Sequence, residues 1–375
     1  MTATKPGRFL ALDVFRGMTI CFMIIVNTPG DGSNSFSPLL HAHWHGFTPT
    51  DLVFPSFLFA VGNAMAFVMP RWEGLPDATV LTRILRRTAL IFLLGFLMYW
   101  FPFVKQGEHG LVAFPFSETR VFGVLQRIAL CYGIAAALIW FFKPRTSAWI
   151  AAGLLLLYWG CLYWFPGSGD PLSLEGNAVL RIDRWLLGEK HLYHGEGIAF
   201  DPEGLLSTLP AVANVIGGYL AGDWIRRHGA SWETLTRLLL AGAGLCFLAW
   251  CWNHFLPVNK KLWTSSFVLL TVGLDCILLA AIIYIIDFKH ATRWTRFFTV
   301  FGKNPLFIYL LSEILAIILY FFQNKEGVSW FRLIYENGFA WIGGKWGSLA
   351  FALCFMLVCW LAGWWLDRRK IYIRV

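Results

Sequence analysis

Charged residues are scarce in this chain. Only 14% of its 375 residues are Asp, Glu, Lys or Arg, and 57% are hydrophobic. A soluble domain usually carries about 25% charged residues, so the composition excludes a soluble globular protein. The sequence also has no low-complexity linker, no polar domain and no convincing internal repeat. We therefore predict a single membrane domain over residues 1–375.

Paired cysteines are also missing. All eight cysteines lie inside apolar runs, and none belongs to a CxxC motif. This pattern is unlike a disulfide framework or a zinc site, and we interpret the cysteines as small packing residues. The net charge of +9 comes without a basic soluble domain. It therefore indicates contact with anionic lipid or an anionic ligand rather than with nucleic acid.

Long apolar runs occur along the whole sequence. A membrane-spanning helix needs about 20 such residues, and the charges and turn residues between runs separate ten candidates. We predict an all-α polytopic membrane protein of about ten transmembrane helices. The predicted spans cover residues 9–27, 52–69, 88–104, 121–142, 148–165, 205–222, 238–256, 265–286, 297–322 and 348–366.

The distribution of Lys and Arg predicts the orientation. Basic residues stay on the cytoplasmic side because they resist translocation. With a cytoplasmic N-terminus, twenty of the 31 Lys and Arg residues fall on inner segments and eleven on outer ones. An even number of spans then places both termini in the cytoplasm. The longest outer loops are residues 28–51 and 166–204.

Several polar side chains interrupt the apolar runs. Such residues are costly in a membrane and are functional candidates for that reason. Asp13 and Arg16 are three residues apart on one helix face and can form an ion pair. Asn27 ends the first span, and Gln126 and Arg127 lie within the fourth. Further buried polar residues are Asn63, Asp275 and Glu313.

Three histidines stand close together in the stretch HAHWHGFTPTDLVFP, at His41, His43 and His45. They could bind a metal if carboxylates such as Asp51, Asp201 and Glu203 joined them. One of them could instead be a general base, since imidazole titrates near neutral pH. They could also be polar residues at a membrane surface. The residue pattern leaves these alternatives open.

Five ordered motifs resemble the heparan-alpha-glucosaminide N-acetyltransferase family of transmembrane acyltransferases. They are LDVFRGMTICFMIIVN, HAHWHGFTPTDLVFPSFLFAVGN, GVLQRIA, FDPEGLLSTLPAVANVIGGYLAG and PVNKKLWTSSF, and they extend over nearly the whole chain. The resemblance implies a bundle of ten or eleven helices. It also implies an enzyme that takes acetyl-CoA from the cytosol and acetylates the amine of a glucosamine across the membrane.

The resemblance also implies roles for individual residues. His41 matches the family's active-site histidine, and Asn27 matches its active-site asparagine, while His43 and His45 are bystanders. No metal is implied. A polar path past Arg16, Gln126 and Arg127 would receive acetyl-CoA. The outer residues implied in sugar binding or in bracing the loops are Asp51, Asp201, Glu203, Asn259 and Lys260.

Two departures from the family pattern carry further expectations. The segment between Asn27 and His41 is longer here and contains GDGSNSFSP. An N-terminal luminal domain is missing, which suggests a bacterial inner-membrane form with a smaller sugar substrate. The expected partners are acetyl-CoA, an amino sugar and the lipid bilayer, without nucleic acid, and a homodimer stays open.

Two other classes of protein fit the sequence. A polytopic transporter of a small sugar would also have many spans and buried polar residues, although we find no inverted repeat. A metal-dependent membrane hydrolase would use His41, His43 and His45 together.

Overall fold

A computed structural model describes residues 9–107 and 110–373. Almost all regular structure in this part is helical, together with one antiparallel hairpin. The helices are α1 Leu10–Asn27, α2 Pro49–Val68, α3 Asp77–Trp100, α4 Val124–Phe141, α5 Pro144–Trp164, α6 Ala178–Leu187, α7 Thr208–His228, α8 Trp232–Trp252, α9 Ser265–Ile283, α10 Thr295–Lys303, α11 Pro305–Phe321, α12 Trp330–Gly338 and α13 Gly344–Arg368. The hairpin pairs β1 Val104–Gly107 with β2 Gly110–Ala113.

Seven helices within the described residues are long and apolar enough to cross a membrane, namely α1, α2, α4, α5, α8, α9 and α13. The count becomes eight if α10 and α11 form one span. The mostly helical structure and these candidate spans are consistent with the predicted all-α polytopic membrane protein. The predicted spans at 88–104 and 205–222 correspond to α3 and α7, which carry more polar residues. The number ten stays a prediction.

The predicted span 297–322 is not one continuous helix. It consists of α10 and α11, whose axes differ by 83° across a break of no more than four residues. Asn304 leaves the helical conformation at φ −130°, and Pro305 begins α11. Proline has no N–H to continue the preceding helix but fits the first turn of a new one. The apolar run therefore predicted the helical segments but missed the bend between them.

Glycines allow two pairs of helices to touch backbone to backbone. A Cβ atom on Gly62 of α2 would lie 1.9 Å from the carbonyl oxygen of Val215 on α7. A Cβ on Gly17 of α1 would similarly lie 1.9 Å from the carbonyl oxygen of Phe298 on α10. Small residues are common at such contacts in membranes, where close van der Waals packing drives association. These contacts fix α2 and α7 beside each other, and both helices begin at the same end of the bundle.

The connections at the two ends of the bundle differ greatly in length. One end has short links, such as residues 229–231 between α7 and α8. The other end collects the long segments 28–48, 101–123, 165–207 and 253–264. Backbone hydrogen bonds join these segments, including Gly46 N–H to the Val258 carbonyl at 2.8 Å. We call this the loop end, and the charge distribution predicts that it faces outward.

The predicted orientation depends in part on residues that the structure does not describe. Lys5, Arg8 and Arg374 contribute to the inner charge count and lie outside the described residues. The cytoplasmic placement of both termini therefore stays a prediction.

Candidate active site

The start of α2 holds His41 in place. The sequence Thr48-Pro49-Thr50-Asp51 has a threonine N-cap, proline at the first helical position and an acidic residue at the third. The backbone N–H of Thr48 donates to Asp51 Oδ2 at 2.9 Å, which is one half of a capping box. The Thr48 hydroxyl donates to the Leu40 carbonyl at 2.7 Å. The cap thereby ties the segment before His41 to the helix.

Asp51 connects this cap to the His41 ring. The His41 Nδ1–H donates to Asp51 Oδ1 at 2.7 Å, and the Ala42 N–H donates to Oδ2 at 3.1 Å. The Asp51 side chain is 1% exposed, whereas that of His41 is 43% exposed. A buried carboxylate that accepts from Nδ1–H fixes the tautomer and leaves Nε2 as the basic nitrogen. The arrangement is therefore an accessible base oriented by a buried acid.

Lys260 lies against the same imidazole. Its Nζ is 3.0 Å from Nδ1 and 3.1 Å from Nε2 of His41, and 3.9 Å from Asp51 Oδ1. Because the Nδ1 proton is donated to Asp51, Nε2 is the ring nitrogen that can accept from the lysine. Burial lowers the pKa of Lys260, although attraction to Asp51 and Glu203 opposes this shift. The three side chains form one hydrogen-bonded group.

Hydrogen bonds within the loop before α9 hold Lys260 in position. Asn259 is fully buried, and its Oδ1 accepts from the Leu262 N–H at 2.8 Å. The backbone N–H of Trp263 donates to the Lys260 carbonyl at 3.0 Å, and Trp263 adopts φ +55°. A bulky residue in the left-handed region is uncommon and persists where the surroundings enforce it. Asn259 therefore braces the loop, which is one of the two roles expected for it.

Asp201 and Glu203 form ion pairs with Arg120, which was not among the predicted site residues. Arg120 donates from Nε to Asp201 Oδ2 at 2.8 Å and from Nη2 to Asp201 Oδ1 at 2.7 Å. The same Nη2 donates to Glu203 Oε2 at 2.7 Å. The guanidinium also lies between the rings of Tyr99 and Tyr193, at 4.9 and 4.7 Å. Asp201 is 1% exposed, so its position favours bracing over sugar contact.

Glu203 links this cluster to Lys260. Burial alone would raise the pKa of Glu203, but Arg120, Arg127 and Lys260 together lower it. The carboxylate is therefore ionised and retains some exposure at 14%. Glu203 is better placed than Asp201 to meet an incoming ligand.

Asn27 faces a second acidic group at the end of α1. Its Nδ2 donates to Glu313 Oε1 on α11 at 3.4 Å. Glu313 and Glu203 both lie near Tyr99, whose ring is 4.9 Å from the Arg120 guanidinium. Asn27 thus belongs to the polar region that contains Arg120 and Glu203. Glu313 could be recognised from the sequence as a functional candidate, because it is an ionisable residue inside an apolar run.

Of the three residues of the predicted acetyl-CoA path, Gln126 and Arg127 are adjacent at the start of α4, near the loop end, and Arg16 lies in the first half of α1. Arg16 is near the short-link end, where it pairs with Asp13 at 2.8 Å and donates from Nε to the Gly302 carbonyl at 2.9 Å. Gln126 is fully buried, and neither of its amide atoms has a hydrogen-bond partner among the described residues. Arg127 is also fully buried and lies 4.8 Å from the centre of the Trp263 ring. It donates to the Gly204 carbonyl at 3.1 Å and to the Ser207 hydroxyl.

The three histidines have different surroundings. His45 Nδ1 lies 3.3 Å from Asn259 Nδ2 and not against Asp51, and His43 is exposed. Across residues 9–107 and 110–373, no group of three or more His, Cys, Asp or Glu side chains is arranged to hold a metal ion. The described geometry therefore singles out His41 from its neighbours.

Two comparisons with known proteins agree with the resemblance seen in the sequence. Residues 8–167 match a family model described as heparan-alpha-glucosaminide N-acetyltransferase, catalytic. This part contains Asn27, His41 and Asp51. Asp201, Glu203 and Lys260 lie beyond it.

Two curated relatives have the same name. Heparan-alpha-glucosaminide N-acetyltransferase of Homo sapiens is 27% identical over 387 aligned residues, which cover 87% of this chain and 54% of the human protein. The Mus musculus protein is 27% identical over 375 aligned residues, covering 83% of this chain and 54% of the mouse protein. The chain spans about half the length of these relatives. The predicted resemblance to this family is confirmed.

Proposed function

Because this chain resembles the heparan-alpha-glucosaminide N-acetyltransferases, we propose that it transfers an acetyl group from cytoplasmic acetyl-CoA to the amine of a glucosamine-type sugar at the loop end. The observation that carries the proposal is the 2.7 Å hydrogen bond from His41 to Asp51. It joins an exposed base to a buried acid inside the segment that matches the family model. The loop end faces the periplasm of a bacterial inner membrane in this proposal.

His41 acts as the general base in this reaction. The sugar ammonium first loses one proton to water, and His41 Nε2 then removes a second proton as the nitrogen attacks the thioester carbonyl. The C–S bond breaks, and the proton passes to the departing CoA thiolate. Asp51 stabilises the imidazolium that forms, because its carboxylate holds Nδ1–H. Asn27 donates from Nδ2 to the oxyanion that develops on the carbonyl.

Carboxylates at the loop end receive the acceptor sugar. An amino sugar is cationic near neutral pH, and Glu203 retains access to solvent while remaining ionised. Lys260 lies 3.9 Å from Asp51 and interacts electrostatically with Glu203. Asp201 and Asn259 hold the loops that carry these groups, since both side chains are buried and committed to protein partners.

The donor reaches His41 from the opposite face. Acetyl-CoA carries several phosphate charges and cannot cross a bilayer, whereas cations such as Arg16 lie near the short-link end. A helix of 20 residues is about 30 Å long, which is comparable with an extended pantetheine arm. The buried, unpartnered amide of Gln126 supports a polar path, because an unpaired amide in an apolar interior is unfavourable.

Sealed vesicles test both the chemistry and the sidedness. Right-side-out vesicles loaded with labelled acetyl-CoA should acetylate external glucosamine, and vesicles with His41→Ala should not. External acetyl-CoA should support no reaction while the vesicles are intact. Equal rates with internal and external donor would reject the cross-membrane arrangement. An absence of labelled product after detergent opens both faces would reject the acetyltransferase itself.

A further inference from the structure

The Lys260 amine occupies an informative place in the candidate active site. Nucleophilic sites commonly combine a nucleophile, a base within hydrogen-bonding distance and a carboxylate that orients the base. Here His41 is the base and Asp51 the orienting carboxylate. Lys260 Nζ takes the third position, lying against the imidazole at 3.1 Å from Nε2 and 3.0 Å from Nδ1. Its distance from Nε2 is within the reach required for proton abstraction.

The position is chemically that of an acceptor. In the proposed reaction the sugar amine must approach His41 Nε2 to lose its proton, and a second nitrogen cannot occupy that space at the same time. Lysine and glucosamine both present a primary amine. The lysine therefore resembles the acceptor in both functional group and location.

We propose that Lys260 Nζ occupies the place of the acceptor amine and is itself acetylated when no acceptor is bound. This inference rests on the proposed acetyltransferase function and assigns a modification site to it. The sugar amine displaces the lysine during normal turnover. Acetylation of Lys260 removes its charge and leaves an amide in the acceptor position, which blocks the site.

The reaction is balanced with acetyl-CoA as the donor. The lysine ammonium first loses one proton to water. Its nitrogen then bonds to the acetyl carbon, the C–S bond breaks, and His41 transfers one of the two remaining amine protons to the CoA thiolate, while the other stays on the amide nitrogen. Burial favours the neutral amine, because it lowers the pKa of Lys260. The other charged groups that act on Lys260 are Asp51, Glu203, Lys261 and Glu196.

Lys261 provides a matched control within the same loop. Its side chain is 20% exposed, compared with 17% for Lys260. Its Nζ donates to Glu196 Oε2 at 2.5 Å instead of approaching an imidazole. Non-specific acetylation would therefore modify both lysines, whereas the proposed reaction modifies Lys260.

Mass spectrometry of the full-length protein in detergent tests this inference. The protein is incubated with acetyl-CoA alone, and fragment ions that separate Lys260 from Lys261 locate any added acetyl group. We expect acetylation at Lys260 to be at least tenfold greater than at Lys261. Glucosamine at saturating concentration should reduce it about tenfold or more. His41→Ala should slow it on the order of a hundredfold, as for loss of a general base.

The outcomes separate this inference from the function on which it rests. Formation of N-acetylglucosamine without acetylation of Lys260 would overturn the inference and retain the function. Acetylation of Lys260 that glucosamine does not reduce would also overturn it, as would equal modification of Lys261. Acetylated Lys260 without any acetylated sugar, together with His41 dependence, would support the modification site and reject glucosamine as the acceptor. The glucosamine comparison uses the unaltered protein, so it decides the matter even if His41→Ala fails to fold.

Discussion

The buried carboxylate of Asp51 gives the sharpest prediction about catalysis. Asp51→Asn keeps the size of the side chain but removes the charge that accepts from His41 Nδ1–H. Hydrogen bonds to charged groups contribute about 1.5–3 kcal/mol. Because about 1.4 kcal/mol corresponds to tenfold in rate, kcat should fall by about ten- to 150-fold. The assay is acetylation of glucosamine with labelled acetyl-CoA in detergent.

A control in the same cap separates catalysis from folding. Thr48→Ala removes hydrogen bonds from the threonine hydroxyl to Leu40 and Asp51 but leaves the contact between His41 and Asp51. Loss of an N-cap costs about 0.5–2 kcal/mol, so the thermal midpoint of Thr48→Ala should fall. Its kcat should stay within about threefold of the kcat of the unaltered protein. A kcat within twofold of wild type for Asp51→Asn would refute the role of the carboxylate. Equal losses in both variants would attribute the effect to the cap.

Three further predictions concern the loop end and a matched surface site. His41→Ala should lower turnover on the order of a hundredfold and His43→Ala much less, whereas equal losses rescued by added zinc would favour a metal site. Arg120→Gln breaks a buried ion pair, which costs about 3–5 kcal/mol, so the thermal midpoint of this variant should drop clearly. Arg332→Gln, which breaks an exposed ion pair, is the control. Equal thermal midpoints for the two variants would contradict the reasoning. Burial raises the pKa of Asp183 to about 7, above about 3.9 in an unfolded chain. The folded protein therefore keeps the Asp183 proton up to a higher pH than the unfolded chain does. The stability that this contributes is fully present below about pH 4 and is lost as pH rises through 7. The thermal midpoint of the unaltered protein should therefore decline from pH 5 to 8, and Asp183→Asn should make this decline smaller. An unchanged decline would show that other groups cause it.

The sequence predicted most of the membrane architecture because span length is a direct physical requirement. A run of about 20 apolar residues is needed to cross the hydrocarbon region, and each of the ten predicted runs overlaps a helix. The bend between α10 and α11 was missed, since hydropathy does not report direction. The dipeptide Asn304-Pro305 was the available signal, because proline favours the start of a helix over its continuation.

The candidate site was less accessible to sequence reasoning. His41 and Asn27 came from the family resemblance, and the capping pattern from Thr48 to Asp51 could be read locally. The contact of Lys260 with His41 joins residues 219 positions apart. Such a contact depends on how two loops pack, and no periodicity encodes it. Arg120 was missed for the same reason, although two buried carboxylates must have a cationic partner somewhere.

The charges at the loop end suit a reaction that converts a cation into a neutral amide. Glu203 is ionised and retains some exposure, so it attracts a protonated, positively charged amino sugar. Acetylation removes that positive charge, so the product loses the electrostatic attraction that held the substrate. Because partly buried charges are screened less than exposed ones, this difference favours product release as soon as the amide forms.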